Sequence, residues 1–202
     1  MKILFCLGCY LLGAFPTGFI LFHLSDKKDI RNYGSRSTGA TNVFRTKGLP
    51  LALPVIVVDL AKGFFPVFLG SRWFPAQPWV PLAGAFLAVV GRCYPIFIRF
   101  RGGKGVAATM GAMAGLGLVP FLLSLALFCG VIALTRYVSL GSLLAVLFYG
   151  PLRLAAGQSS TWPWVWWVAI LLLIVLRHWA NIRRLLSGQE RRLGQKAVEV
   201  KE

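Results

Sequence analysis

Long apolar stretches alternate with short polar segments along almost the whole chain. Six stretches approach the length of a membrane-spanning helix, which needs about 20 residues, and they cover 3–24, 50–70, 78–98, 106–134, 138–156 and 162–177. The stretch 106–134 is longer than one helix requires and is interrupted by Gly111, Gly115, Gly117 and Pro120. We expect a short helix followed by a longer one here, which brings the number of crossings to seven. The alternative is five crossings, with one weak segment lying in the membrane interface.

Lysine and arginine are concentrated in three polar segments. These are the loop 25–49, the turn around 99–104 and the tail after residue 177, whereas Lys2, Arg72 and Arg153 fall on the other side. Cationic loops of membrane proteins stay in the cytoplasm. The pattern therefore predicts an all-α polytopic transmembrane protein with its N-terminus outside and its C-terminus cytoplasmic. A single membrane domain, 1–202, accounts for the chain, and 178–202 includes a cytoplasmic basic tail.

Composition narrows the class of protein further. The 202 residues are 57% hydrophobic and only 14% charged, which excludes an ordinary soluble domain. The net charge of +16 is explained by orientation in a membrane and does not indicate a nucleic-acid partner. Cys6 and Cys9 have a C-x-x-C spacing, but they lie in an apolar helix, which favours packing over redox or metal chemistry.

The segment Arg99–Thr109, with the sequence R-F-R-G-G-K-G-V-A-A-T, is the strongest candidate for chemistry. Glycines allow the backbone to turn sharply and to approach a ligand closely. Together with Arg101, Lys104 and the N-terminus of the following helix, Gly102 and Gly103 predict an anion site. The alternative is a basic turn that only orients two helices.

Two further polar segments meet the same predicted face. Gly34–Gly48 offers small hydroxyls, an amide and Arg45, which suits phosphate. Arg177–Glu190 places His178 and Asn181 three residues apart, on one face of a helix. Its arginines could instead bind anionic headgroups, and a lone histidine at an interface is more often structural than catalytic.

Asp59 and Lys62 are ionisable groups inside the second apolar stretch. At a spacing of three residues they can pair on one helix face, which makes their burial tolerable. The pair either packs helices together, which we favour, or supports the nearby polar loop.

Several reaction classes lack their characteristic residues in this sequence. The H-x4-D motif of thioester-dependent acyltransferases, a G-x-S-x-G elbow and a metal-ligand cluster are all missing. What remains is a cation-rich, carboxylate-poor site at a membrane surface. Such a site suits an anionic, phosphorylated substrate that meets a lipid-soluble one.

The three polar segments together resemble the motifs of the bacterial acyl-phosphate:glycerol-3-phosphate acyltransferases, which are small integral membrane enzymes. Residues 34–48 match G-S-G-N-x-G-A-T-N-V-x-R-x-x-G, and residues 91–109 match G-H-x-F-P-V-x-x-x-F-K-G-G-K-G-V-A-T. Residues 177–190 match R-H-x-x-N-I-x-R-L-L-x-G-x-E. Arg36 and Ser37 depart from the first pattern, whereas Arg92, Tyr94 and Arg101 depart from the second. If the histidine at this place in the family motif is essential for proton transfer, Arg92 does not take over that role, so the departure either lowers activity here or indicates that the essential histidine is His178.

The resemblance implies transfer of a fatty acyl group from acyl phosphate to the 1-hydroxyl of sn-glycerol 3-phosphate, the first acylation of phospholipid synthesis. The products would be lysophosphatidic acid and inorganic phosphate, without cofactor or metal. It implies that Ser35, Arg45 and Lys104 bind phosphate, and that Thr41 and Asn42 shape the loop. His178 and Asn181 would position or deprotonate the hydroxyl, or a substrate phosphate would act as the base.

The same resemblance implies a multi-pass protein of the bacterial inner membrane, with its active site facing the cytoplasm. Membrane lipids and, transiently, the enzyme that produces acyl phosphate are the expected partners. A transporter for a phosphorylated metabolite and a purely structural membrane protein are the alternatives. The first should place charge along a path through the membrane, and the second needs no convergent polar loops.

Overall fold

The computed structural model describes residues 1–197 and 199, and all named secondary-structure elements in this part of the chain are helices. Two 3₁₀ turns, Ile30–Asn32 and Ile96–Ile98, accompany ten α-helices among the described residues. The α-helices are α1 (Lys2–Ala14), α2 (Thr17–Asp26), α3 (Ala40–Lys47), α4 (Leu49–Trp73), α5 (Trp79–Cys93), α6 (Val106–Leu116), α7 (Leu118–Thr135), α8 (Val138–Ala155), α9 (Thr161–Arg177) and α10 (Trp179–Leu186). The predicted all-α fold is confirmed. The last residues of the predicted basic tail, 198 and 200–202, lie outside the described residues.

The long apolar helices confirm a polytopic membrane protein. Within the described chain, five stretches are long and apolar enough to span a membrane: Lys2–Asp26, Leu49–Trp73, Trp79–Ile98, Leu118–Thr135 and Val138–Ala155. α9 and α10 make a sixth if they are counted together across a bend of 63°. The predicted seventh crossing would be α6, which has only 11 residues and is about 17 Å long. That crossing, and the side on which each terminus lies, stay predictions.

The first predicted span, 3–24, is broken in the structure. α1 ends at Ala14 and α2 begins at Thr17, with Pro16 between them. Proline has no N–H to donate and clashes with the preceding turn, so it interrupts the helix. The break frees the Phe15 carbonyl, which accepts a hydrogen bond of 2.7 Å from Lys62 Nζ.

The polar loop between the first two spans contains a helix, α3, that its composition does not predict. α3 starts after Gly39 and ends at Lys47, and the next residue, Gly48, has a φ of 77°, which suits glycine. Its buried residues are Asn42 and Val43, and Val43 packs in an apolar cluster with Phe22 and Val55. Burial of this face stabilises a helix that is otherwise polar.

The predicted division of 106–134 into a short and a long helix is confirmed, with the break at Gly117. α6 begins beside the middle of α4, and glycines bring the two backbones together. A Cβ at Gly63 would lie 1.7 Å from the carbonyl oxygen of Ala108, and a Cβ at Gly111 would lie 1.8 Å from that of Leu60. Small residues permit this close packing of membrane helices. It anchors the N-terminus of α6 about halfway along α4.

Candidate active site

One cavity of about 460 Å³ opens between the three polar segments and the helices. Five cations and two carboxylates line it: Arg45, Arg92, Lys104, Arg184, Arg191, Asp59 and Glu190. Beyond this polar end the walls are apolar side chains of α4, α6 and α7, including Leu60, Met110, Phe121, Leu125 and Phe128. The cavity therefore joins a cationic mouth to an apolar channel.

Seven of the ten predicted site residues line this cavity, and three do not. The seven are Ser35, Thr41, Asn42, Arg45, Lys104, His178 and Asn181. Arg101 is exposed, and Gly102 and Gly103 are buried beside Arg92. The Gly103 N–H donates to the Arg92 carbonyl at 3.1 Å, so it is already engaged within the protein. The cavity wall is formed instead by Lys104 and by the first turn of α6, Gly105–Ala107.

The loop that precedes α3 is organised by the side chain of Asn42. Its Oδ1 accepts from the Ser35 N–H at 3.0 Å, and its Nδ2 donates to the carbonyls of Tyr33 and Ser37, each at 2.9 Å. Asn42 is only 1% exposed, so these bonds form in a low-dielectric interior, where they are strong. Asn42 thus shapes the loop, and Ser35 and Ser37 reach the cavity wall.

Arg45 extends from α3 toward the C-terminal segment. One of its terminal nitrogens donates to the Arg191 carbonyl at 3.0 Å. Its Nε is buried and has no hydrogen-bond partner within the described part of the chain. Arg45 also lines the cavity, and planar guanidinium N–H groups suit an oxyanion.

His178 lies at the junction of α9 and α10 and is 1% exposed. Its Nδ1 is 2.8 Å from the Ile174 carbonyl oxygen. Because a carbonyl can only accept, Nδ1 carries the proton, and in the neutral ring Nε2 is the acceptor. Burial, reinforced by the positive charge of Lys104, lowers the pKa of His178 to about 3. The imidazole is thus neutral near pH 7, with Nε2 unprotonated.

Lys104 lies in the connection between α5 and α6, at the polar end of the cavity. Burial lowers the pKa of its ammonium to about 8, with Glu190 acting in the opposite direction. Lys104 is therefore mainly protonated at neutral pH, although its neutral fraction is larger than that of an exposed lysine. Loss of water around a charge strengthens its attraction for an anion.

Glu190 is a cavity residue that was not among the predicted site residues. Its Oε1 accepts from Asn181 Nδ2 at 2.6 Å and from Ser139 Oγ at 3.0 Å, whereas Oε2 accepts from Arg184 at 2.8 Å. The carboxylate is thereby held between α8 and α10. The sequence offered one signal for Glu190, the rarity of acidic residues, because the whole chain has only six Asp and Glu residues.

Asp59 and Lys62 form the predicted ion pair, with 2.8 Å between Asp59 Oδ1 and Lys62 Nζ. The structure adds Arg92, whose Nε donates to Asp59 Oδ2 at 2.7 Å. Each of the three residues is at most 3% exposed. The Asp59 carboxylate therefore offsets part of the positive charge of both Lys62 and Arg92, and the three residues link α4 to the end of α5.

Comparison with known proteins identifies the family. A family model described as glycerol-3-phosphate acyltransferase matches residues 3–188. The chain belongs to this family. Glycerol-3-phosphate acyltransferases are enzymes, and the resemblance seen in the three motifs is confirmed.

Individual relatives agree along nearly the whole chain. The glycerol-3-phosphate acyltransferase of Synechocystis sp. is 40% identical over 201 residues, covering 95% of this chain and 90% of the relative. That of Geobacter sulfurreducens is 40% identical over 183 residues, covering 91% and 93%. The glycerol-3-phosphate acyltransferase assignment thus does not depend on one motif.

Two crystal structures have the same fold. Both are of PlsY (YgiH), an integral membrane glycerol 3-phosphate acyltransferase. Its glycerol 3-phosphate form superposes with a TM-score of 0.91 at 34% identity, and 96% of each chain is covered. Its lysophosphatidic acid form gives a TM-score of 0.86 at 32% identity, with the same coverage. This glycerol-3-phosphate acyltransferase is accordingly an integral membrane protein.

Proposed function

We propose that this enzyme transfers a fatty acyl group from acyl phosphate to the 1-hydroxyl of sn-glycerol 3-phosphate. The products are 1-acyl-sn-glycerol 3-phosphate, a lysophosphatidic acid, and inorganic phosphate. The observation that carries the proposal is the single cavity that joins a cationic mouth to an apolar channel. Further support comes from PlsY, whose structures are a glycerol 3-phosphate form and a lysophosphatidic acid form.

The donor brings much of the reactivity. An acyl phosphate is a mixed anhydride, so the glycerol hydroxyl oxygen attacks the acyl carbonyl carbon directly. The bond from that carbon to the phosphate oxygen breaks, and inorganic phosphate leaves with the bonding electrons. The hydroxyl proton passes to Nε2 of His178 or to an oxygen of the leaving phosphate. Neither a covalent nucleophile nor a metal is needed for this balance.

The roles of the polar side chains follow from their positions at the mouth. Lys104, Arg45 and the first turn of α6 together present positive charge to a phosphate. Ser35 adds a hydroxyl from the neighbouring loop. His178 and Asn181 line the same cavity, where they can orient the attacking hydroxyl. The acyl chain extends among α4, α6 and α7, which explains why an enzyme with one water-soluble substrate lies in a membrane.

The cellular setting is part of the proposal. The positive-inside pattern supports a cytoplasmic mouth in the bacterial inner membrane, because the three cationic segments all belong to it. Membrane lipids surround the helices, and contact with the enzyme that produces acyl phosphate stays a prediction.

The test uses the full-length protein, purified in detergent, with glycerol 3-phosphate and palmitoyl phosphate. We expect equal amounts of lysophosphatidic acid and inorganic phosphate, and little or no product with palmitoyl-CoA or palmitoyl-acyl-carrier protein. Equal rates with palmitoyl-CoA would refute the choice of donor. Uptake of glycerol 3-phosphate into vesicles without acylation would indicate transport instead.

A further inference from the structure

The Arg92 side chain connects separate segments of the chain through hydrogen bonds. It lies in the last turn of α5 and is 3% exposed. Its Nε donates to Asp59, its Nη1 donates to Thr38 Oγ1 at 2.9 Å, and its Nη2 donates to the Thr38 carbonyl at 3.0 Å. One guanidinium therefore binds the middle of α4 and both polar groups of a residue in the first loop.

The same residue also fixes the glycine-rich turn. The Arg92 carbonyl accepts the N–H of Gly103 at 3.1 Å. A Cβ at Gly103 would lie 2.7 Å from Arg92 Nη1, so the guanidinium packs directly on the glycine backbone. On its other side, the Gly103 carbonyl accepts from Arg177 Nη2 at 2.8 Å. Gly103 immediately precedes Lys104, and thus the turn that carries this lysine is held on both sides.

Asp59 and Lys62 keep this guanidinium in place. Lys62 Nζ donates to Asp59, to the Phe15 carbonyl and to Thr17 Oγ1 at 2.7–2.8 Å, so its three N–H groups are all used. Both Asp59 oxygens are occupied as well, one by Lys62 and one by Arg92. The orientation of Arg92 is therefore set by a fully bonded group, which is the condition for rigidity in a buried polar network.

We propose that Arg92 is a positioning residue, whose guanidinium fixes Thr38 of the first loop relative to Gly103 and so sets the geometry of the phosphate-binding mouth. Thr38 lies between Ser37 and Gly39, which both line the cavity, and Gly103 adjoins Lys104. The inference rests on the proposed function insofar as it assumes that phosphate binds there. A histidine has only two ring nitrogens and does not make all three bonds, so the contact depends on an arginine at this position.

The test breaks the contact from the Thr38 side, since removing Arg92 would leave Asp59 partly unpaired. Thr38→Val keeps the shape and removes the acceptor, whereas Thr38→Ser keeps the hydroxyl. Arg153→Lys is the matched control, because Arg153 is also a buried arginine that donates to a carbonyl, that of Leu116, at the far end of α6. For each variant, kcat, the KM of glycerol 3-phosphate and of palmitoyl phosphate, the Kd of inorganic phosphate and the thermal unfolding midpoint are measured.

Loss of a hydrogen bond to a charged group changes an equilibrium constant by about tenfold or more, and here that loss acts on the substrates through the geometry of the mouth. We expect Thr38→Val to raise the KM of at least one substrate and the Kd of inorganic phosphate by about tenfold, with kcat changed less than about threefold. Thr38→Ser should recover most of the loss. Arg92→Lys should raise the same constants, and the loss in its combination with Thr38→Val should be smaller than the sum of the two single losses, because Arg92→Lys already breaks the bond to Thr38 Oγ1 that Thr38→Val removes. Arg153→Lys should lower the unfolding midpoint and leave the KM values unchanged.

The inference is overturned if Thr38→Val keeps both KM values and the phosphate Kd within twofold of wild type. It is equally overturned if Thr38→Val and Arg153→Lys give the same pattern, since that would mean general destabilisation. A wild-type protein that binds inorganic phosphate but forms no lysophosphatidic acid would refute the proposed reaction, while the Kd series would still decide the role of Arg92. A wild type that neither binds phosphate nor turns over would refute both.

Discussion

Replacement of His178 tests the chemistry of the site most directly. In His178→Ala the acceptor Nε2 disappears, together with the hydrogen bond from Nδ1 to Ile174. A general base contributes about 10²–10⁴-fold, which corresponds to about 3–5 kcal/mol of transition-state stabilisation. The lost hydrogen bond costs only about 1 kcal/mol of folding stability. We therefore expect kcat to fall by about 10²–10⁴-fold in a protein that still folds.

A second variant separates the two effects of the histidine. In His178→Asn, the side-chain N–H can replace the Nδ1 donor to Ile174, but nothing replaces Nε2. We expect its unfolding midpoint to stay near that of wild type and its kcat to stay as low as in the alanine variant. The control is His23→Ala, because His23 is exposed and does not line the cavity. Phosphate release with palmitoyl phosphate is the assay. Near-normal turnover in His178→Asn would refute an imidazole base and assign the proton to a substrate phosphate.

The remaining predictions concern charge, pH and topology. Lys104→Met and Arg45→Met should each raise KM for a phosphate-bearing substrate tenfold or more, since each removes a charge-assisted contact; unchanged KM values in steady-state assays would exclude phosphate binding. As the pKa of Lys104 is lowered to about 8, the KM for a phosphate-bearing substrate should rise as pH increases above 8. Lys104→Arg should move this rise to higher pH, and a rise at the same pH in that variant would argue against Lys104 as the titrating group. A cysteine at Ser37 should react with an impermeant thiol reagent only from the cytoplasmic side, and one at Gln158 only from outside. Labelling of Gln158 from the cytoplasm would favour five crossings over seven.

Features that depend on neighbouring residues could be predicted from the sequence. The apolar stretches, the interruption near Gly117 and the pairing of Asp59 with Lys62 all depend on spacing within one helix. The interruption at Pro16 was also readable, because proline within an apolar run removes a helical hydrogen bond. It was missed because the hydropathy of the run continues through it. Helix α3 was missed for the opposite reason, since burial of Val43 outweighs its polar composition.

Contacts between distant residues explain what the sequence could not predict in the site. Arg92 and Asp59 are 33 positions apart, and Ser139 and Glu190 are 51 apart, so no periodicity connects them. The glycine-rich segment shows the same limit. Its composition correctly indicated a close backbone approach, but at Gly103 the approaching group is Arg92 rather than a ligand. Composition identifies a flexible turn, and only the fold decides what fills the space that glycine leaves.

The shortness of α6 has a consequence for how two unlike substrates meet. α6 begins beside the middle of α4. Lys104, in the non-helical chain just before α6, therefore lies at about that level of the helix bundle. Non-helical backbone at membrane depth is tolerated only where protein buries it or water reaches it. Here Gly102 and Gly103 are buried by protein, and Lys104 and Gly105 line the cavity. In the proposed reaction, this arrangement places cationic groups for a hydrophilic phosphate beside an apolar channel for a lipid, so that neither substrate has to leave the phase in which it is soluble.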